Sequence, residues 1–155
     1  MDPRPDGSAG LPAAGRLLAL DWGTQRIGVA VSDETQLLAR PLATLDRRPG
    51  RRFPLGRFRT LLETHAAVGT VVGLPLGEDG GETASSAAAR ELAALVASTG
   101  QPVAFWDERF TTARVQRARA EQGRTGRAAR DDIDAAAAAA VLQGFLDARR
   151  GGATA

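Results

Sequence analysis

The sequence predicts a single α/β domain: a mixed five-stranded sheet, three antiparallel strands followed by parallel ones, with helices on both faces. Three observations carry that reading. Short apolar runs with hairpin-length separators open the folded part, helical and strand-like patterns alternate after them, and no repeat or transmembrane run competes. A length of 155 residues allows one domain with a real core and too little chain for two.

From Leu17, "LLALDW", "IGVAVSD" and "LLARPL" read as strands joined by hairpins. "FPLGRFRTLLETHAA" carries Phe58, Leu61 and Leu62 at helical spacing, and "TVVGLP" is a β-branched run ended by glycine and proline. After the acidic, glycine-rich "GEDGGE", the helix "TASSAAARELAALVAS" is expected to be capped by Thr83 and to stop before Gly100. "PVAFWDE" is the fifth strand and "TTARVQRARAEQG" a helix closed by Gly123. The last helix, "DIDAAAAAAVLQGFLDARR", has Ile133, Ala137, Ala140, Val141, Gly144 and Phe145 as its expected buried stripe. Parallel pairing in the second half requires right-handed crossovers, which the intervening helices provide.

The opening "MDPRPDGSAGLPAAG" has no apolar core behind its charges, so residues 1–15 read as a disordered tail, not a signal peptide or membrane span. Residues 150–155 read as a second tail, leaving 16–149 as the domain. The chain has no cysteine, which removes disulfide frameworks, thiolate zinc sites and cysteine nucleophiles and permits a reducing compartment. The expected location is the cytoplasm, with no membrane partner.

Charge is distributed unevenly. All 20 basic residues are arginine, as an A+T-poor genome would produce, and with no Lys, Tyr or Cys the pI of about 10.7 overstates a net charge of only +2. Arg40 to Arg59 nevertheless holds seven arginines against the lone Asp46, and Arg109 to Arg130 seven against the lone Glu121. Such runs are a solvated face or a grip on phosphates, and nucleic acid is the better reading. Arg47, Arg48, Arg51 and Arg52 form one group; Arg124, Arg127 and Arg130, expected in a loop before the last helix, form the other.

Three carboxylates stand where the chemistry of a site would need them. Asp21 ends the first strand where an apolar residue would cost less, with Gly23 leaving room for a phosphate and Thr24 and Arg26 adding donors. Glu108 ends the fifth strand; alternation sends it and Asp107 to opposite faces, so one faces the site and the other is available to an arginine. Asp134 borders the buried stripe in what reads as the first turn of the last helix, where the helix dipole favours its ionised form, while Asp131 and Asp132 supply the caps. Carboxylates without cysteine suit Mg²⁺ or Mn²⁺, and two such ions about 4 Å apart support phosphodiester hydrolysis. The single histidine, His65, lies far from these motifs, Ser32 and Asp33 read as a strand exit, and Trp22 and Trp106 as core.

At these residues the chain resembles the YqgF (RuvX) family, bacterial pre-16S ribosomal RNA nucleases related to Holliday-junction resolvases of the ribonuclease H-like superfamily. "LDWGTQRIGVAVSD", "VVGLPLGEDG", "DERFTT" and "IDAAAAAAVLQGFLD" are similar to its four motifs, in order, between Leu17 and Asp147. The resemblance implies a ribonuclease H-like nuclease domain over 16–149, an acidic triad of Asp21, Glu108 and Asp134, and metal-dependent cleavage in 5′-end maturation of 16S ribosomal RNA. Substrate contacts are expected from Gly23, Thr24, Arg26, Arg109, Thr111, Arg124, Arg127 and Arg130. Partners would be pre-16S ribosomal RNA or branched DNA, and ribosomal particles; a two-fold branched DNA would favour a homodimer. Gln25 and Phe110 depart from the family's usual residues, and Asp131 and Asp132 add acid beside Asp134 as alternative third ligands.

Two rivals come from other classes. "DWGT" is similar to the phosphate loop of actin, chaperone and sugar-kinase proteins, but those clasp nucleotide between two such domains and this chain has residues for one. The other is a ribosome assembly factor that binds ribosomal RNA without cutting it.

Overall fold

In the computed structural model of the chain, the structure describes residues 10–22, 26–46, 53–110 and 127–154. The elements are β1 (Leu17–Trp22), β2 (Arg26–Ser32), β3 (Ala39–Asp46), α1 (Leu55–Thr64), β4 (Gly69–Leu74), α2 (Ala84–Ala97), β5 (Val103–Asp107), a 3₁₀ turn (Glu108–Phe110) and α3 (Arg127–Thr154). The strands form one sheet in the order β3-β2-β1-β4-β5. β1–β2 and β2–β3 are antiparallel, and β1–β4 and β4–β5 parallel. The expected mixed sheet is therefore what forms; the helix expected over 111–123 lies outside the described residues.

β1 and β4 are covered on both faces, so they read as unbroken apolar runs instead of alternating ones. Alternation still sorts their side chains. Leu18, Leu20, Val72 and Leu74 join Phe58 of α1 and Leu92 and Val96 of α2 in one core. Leu17, Ala19, Val71, Ala104 and Trp106 join Val141, Leu142, Phe145 and Leu146 of α3 in the other. The stripe on α3 is rotated from the expected one: Ala138, Leu142 and Leu146 are buried, whereas Ala140 and Gly144 are half-buried at its edge.

β3 begins two residues later than the apolar run "LLARPL" suggests. The Asp33 carboxylate accepts the N–H groups of Leu37 and Leu38 at 2.8 and 3.1 Å, drawing both into the turn. The Thr35 hydroxyl, chiefly, together with these N–H groups holds the Asp33 carboxyl below its usual range. β3 is an edge strand, which admits Pro41, and the ladder slips by a bulge between Val29 and Ala30.

The packed part reaches upstream of residue 16. Leu11 is buried, with its Cδ2 lying 2.7 Å from where a Cβ on Gly69 would stand. The Gln36 amide donates to the carbonyls of Pro12 and Gly15 at 3.0 and 2.9 Å, and Arg149 donates to those of Leu11 and Pro12 at 2.8 and 3.2 Å. α3 continues to Thr154. Among the described residues no helix is long and apolar enough to cross a membrane.

Thr83 caps α2 as expected: its hydroxyl accepts the Ser86 N–H at 3.0 Å, and the Ser86 hydroxyl accepts the Thr83 N–H at 2.7 Å. Gly100, at φ +92°, follows the helix end. Thr83→Ala should lower stability by about 1 kcal/mol in chemical denaturation.

Candidate active site

Asp21 lies near the end of β1 on the same face as Leu17 and Ala19, toward α3, and is only 1% exposed. Its neighbours on both adjacent strands are glycines. Gly28 is directly opposite on β2. The β1–β4 register, with Leu20 beside Val72, carries Asp21 level with Gly73. Each glycine is about 5 Å away, the spacing of paired strands.

Neither glycine leaves empty space. A Cβ on Gly28 would stand 1.9 Å from the carbonyl oxygen of Asp134, so the main chain of α3 rests directly on β2. A Cβ on Gly73 would stand 2.8 Å from Glu108 Oε1 and 3.3 Å from Val141 Cγ2. The Glu108 carboxylate, 3% exposed, thus occupies one side of Asp21 and the main chain of Asp134 the other. Three residues from the two ends of the chain meet on one face of the sheet.

The Asp134 side chain has its own partner. Its Oδ2 accepts Arg26 Nε at 3.1 Å, with both side chains 14% exposed. This corrects two expectations. α3 starts at Arg127, so Asp134 is about two turns inside the helix, beyond the reach of the dipole at its end, and its side-chain partner is a guanidinium from β2. For the same reason Asp131 and Asp132 lie within the helix and are not its caps, and Arg127 and Arg130 belong to its first turn and not to a loop.

Asp107 and Arg109 form a pair of their own. Asp107 aligns with Leu74 and faces away from the triad. Its carboxylate accepts Arg109 Nε at 2.9 Å, Arg109 Nη2 at 2.6 Å and the Arg109 backbone N–H at 2.9 Å. Asp107, chiefly by hydrogen bonding, raises the pKa of that guanidinium above its ordinary value. As alternation leads one to expect, Asp107 and Glu108 point to opposite faces, and it is Asp107 that pairs with an arginine. Of the remaining expected contacts, Gly23, Thr24, Thr111 and Arg124 lie outside the described residues, as do Gln25, Arg47, Arg48, Arg51 and Arg52.

The donor set suits a hard divalent ion: carboxylate oxygens only, two of them deeply buried, on one face and beside glycines that allow close approach. Asp21 and Glu108 are the adjacent pair. Among the described residues, however, no three or more His, Cys, Asp and Glu are gathered into a ready cage, in keeping with Asp134 being engaged by Arg26. Trp106 is core, edge-to-face with Phe145 at 6.5 Å, and Ser32 accepts the Leu17 N–H at 2.9 Å, both structural roles.

Sequence reasoning passed over Gly28 and Gly73. The signal was present: an isolated glycine inside each of "RIGVAVS" and "GTVVGL", where a strand gives up a side chain only for a bulge or a close neighbour.

The family model RuvX, described as Holliday junction resolvase, matches residues 15–148. A protein of Sphingopyxis alaskensis named "Putative pre-16S rRNA nuclease" is 45% identical over 148 residues, covering 93% of this chain and 94% of its own. Proteins of the same name from Anaeromyxobacter and Mycobacteroides abscessus are 42% and 43% identical, covering 86% and 90% of this chain and 98% and 85% of theirs. Among solved structures, Thermus thermophilus RuvC in complex with Holliday junction substrate is similar with a TM-score of 0.48 at 17% identity, covering 88% of this chain and 96% of that one. With the family's model spanning nearly the whole described fold and relatives above 40% identity along nine-tenths of the sequence, the chain belongs to the RuvX family.

Proposed function

We propose that this chain is a metal-dependent nuclease that hydrolyses phosphodiester bonds in the 5′-end maturation of pre-16S ribosomal RNA. The observation that carries the reading is the placing of Asp21 between Gly28 and Gly73, with Glu108 over one glycine and the Asp134 main chain over the other. Burying carboxylates side by side costs several kcal/mol each unless something compensates their charge, and chains keep such an arrangement where it serves chemistry.

Asp21 and Glu108 would hold Mg²⁺ or Mn²⁺, with Asp134 completing the set by sharing its carboxylate with Arg26. When bound, such ions polarise the scissile phosphate and activate a water at neutral pH. The protein's own residues do the rest: the glycines keep the carboxylates close and the apolar α3 face excludes bulk water behind them. Arg26 fixes the Asp134 carboxylate. The names of the relatives favour pre-16S ribosomal RNA; ribosomal particles and the cytoplasm belong to the same proposal. The description of the family model favours a second substrate, branched DNA, whose two-fold symmetry would call for a dimer.

Purified protein incubated with 5′-extended 16S precursor RNA and with a four-way DNA junction tests this. Cleavage is expected with Mg²⁺ or Mn²⁺ and not with Ca²⁺, whose looser coordination would misplace the attacking water. Full cleavage in excess chelator would refute metal dependence. Binding of the RNA with no cleavage in any metal would favour the non-cutting assembly factor.

A further inference from the structure

The geometry points to Asp107 and Arg109 as positioning residues: together they lock the loop after β4 to the turn after β5 and so fix Glu108 over Gly73. The inference rests on the nuclease reading for its consequence in catalysis, and on geometry alone for the lock itself. It assigns Arg109 a role other than gripping substrate.

The contacts close a ring. Asp107 Oδ1 accepts the Arg109 backbone N–H at 2.9 Å, a side-chain turn that sends the chain from β5 directly into the 3₁₀ segment Glu108–Phe110. The same carboxylate accepts the guanidinium through Nε and Nη2, at 2.9 and 2.6 Å. The guanidinium's remaining end reaches the loop: Nη1 donates to the Glu78 carbonyl at 3.3 Å. A Cβ on Gly80 would stand 3.1 Å from Nη1 and 3.3 Å from Nη2, so the main chain there lies against the guanidinium. Gly80 has φ +84° and can present its backbone this way because it has no side chain.

The loop is itself stiff. Gly80 N–H donates to Gly77 O at 2.8 Å, Gly77 N–H to Gly81 O at 2.9 Å, and Gly81 N–H to Asp79 Oδ1 at 2.8 Å. The Thr83 hydroxyl donates to Pro75 O at 2.9 Å, tying the loop's two ends. The strand leading into this loop carries Gly73, on which the Glu108 carboxylate lies. From Gly73 through the loop to Arg109, and back through Glu108, every link is a packed or hydrogen-bonded contact. A guanidinium whose planar fork is committed to Asp107 acts as a strut, and lysine, a single point charge, cannot span both the carboxylate and the Glu78 carbonyl in the same way.

Arg109→Ala, Arg109→Lys and Asp107→Asn separate a strut from a phosphate contact. For the strut, kcat falls about 10- to 100-fold in Arg109→Ala and Asp107→Asn, the effect of misplacing a reacting group by about 1 Å. Arg109→Lys should retain an intermediate rate. The Kd for precursor RNA and its salt dependence should stay at wild-type values in all three. A weakened Kd with a salt slope flattened by about 0.7 to 0.9 and an unchanged kcat would overturn the proposal and return Arg109 to the substrate. Hydrogen exchange gives a readout independent of cleavage: the amides of Gly80 and Gly81 should exchange faster in Arg109→Ala and Asp107→Asn alike. Unchanged exchange in both would refute the lock even if the nuclease reading holds. Faster exchange in a protein that cleaves nothing would uphold the lock and sink the nuclease reading. Should Arg109→Ala fail to fold, the Lys and Asn variants carry the same comparison.

Discussion

Asp21→Asn should abolish metal-dependent cleavage, lowering kcat by about a thousandfold or more, which corresponds to about 4 kcal/mol of lost transition-state stabilisation. The amide keeps the shape of the carboxylate and removes the charge a divalent ion requires. Glu108→Gln should act likewise, since its carboxylate, from the turn after β5, lies over Gly73 of the strand next to Asp21. Stability should not follow activity. Both side chains are almost completely buried and the amide keeps their volume, so the fold should persist and the loss of rate should not be a loss of folding. Single-turnover cleavage beside a urea titration checks both halves. A variant that cleaves at the wild-type rate would strike that residue from the site.

Gly28→Ala is expected to lower activity and stability together. The added methyl would stand 1.9 Å from the Asp134 carbonyl oxygen and 2.5 Å from its carbon, and no rotamer change relieves a contact with main chain. Helix α3 must move outward, separating β2 from a core in which Val141, Leu142 and Phe145 are fully buried. Overpacking of this kind costs about 1–3 kcal/mol or more. It also carries Asp134 away from Asp21, and a displacement of about 1 Å at reacting groups costs about a hundredfold in rate. The variant's urea midpoint and its rate at saturating Mg²⁺ should both fall. A stable protein with wild-type activity would mean that α3 tolerates a second docking depth and that the site does not depend on this contact.

The parts of this architecture that depend on local pattern were legible in the sequence. The mixed sheet, antiparallel and then parallel, follows from three apolar runs with short separators and the alternation after them, and Asp21 and Glu108 stand out because each ends such a run with a charge. What was not legible depends on contacts between distant segments. The Arg26–Asp134 pair spans 108 residues, so nothing near Asp134 marks the group that holds it. The start of α3 at Arg127 was hidden because Asp131 and Asp132 look like caps, and a helix continuing upstream through "RAAR" carries no apolar stripe to announce it. Leu11 sits in a segment rich in Pro, Gly and Ala that has the composition of a tail; its side chain joins the core on the α3 face, and Gln36 and Arg149, distant in sequence, bond the main chain around it. Gly28 and Gly73 were legible one at a time as unusual strand residues, but only the register makes them the two sides of one carboxylate.

The most direct test of the central claim, that the acidic face between β1, β5 and α3 holds the divalent ion, is an anomalous-scattering map from crystals grown with Mn²⁺. A manganese peak is expected within coordination distance of Asp21 and Glu108, absent from crystals of Asp21→Asn grown in the same way. Manganese bound elsewhere on the chain, with Asp21 and Glu108 outside its coordination sphere, would contradict it.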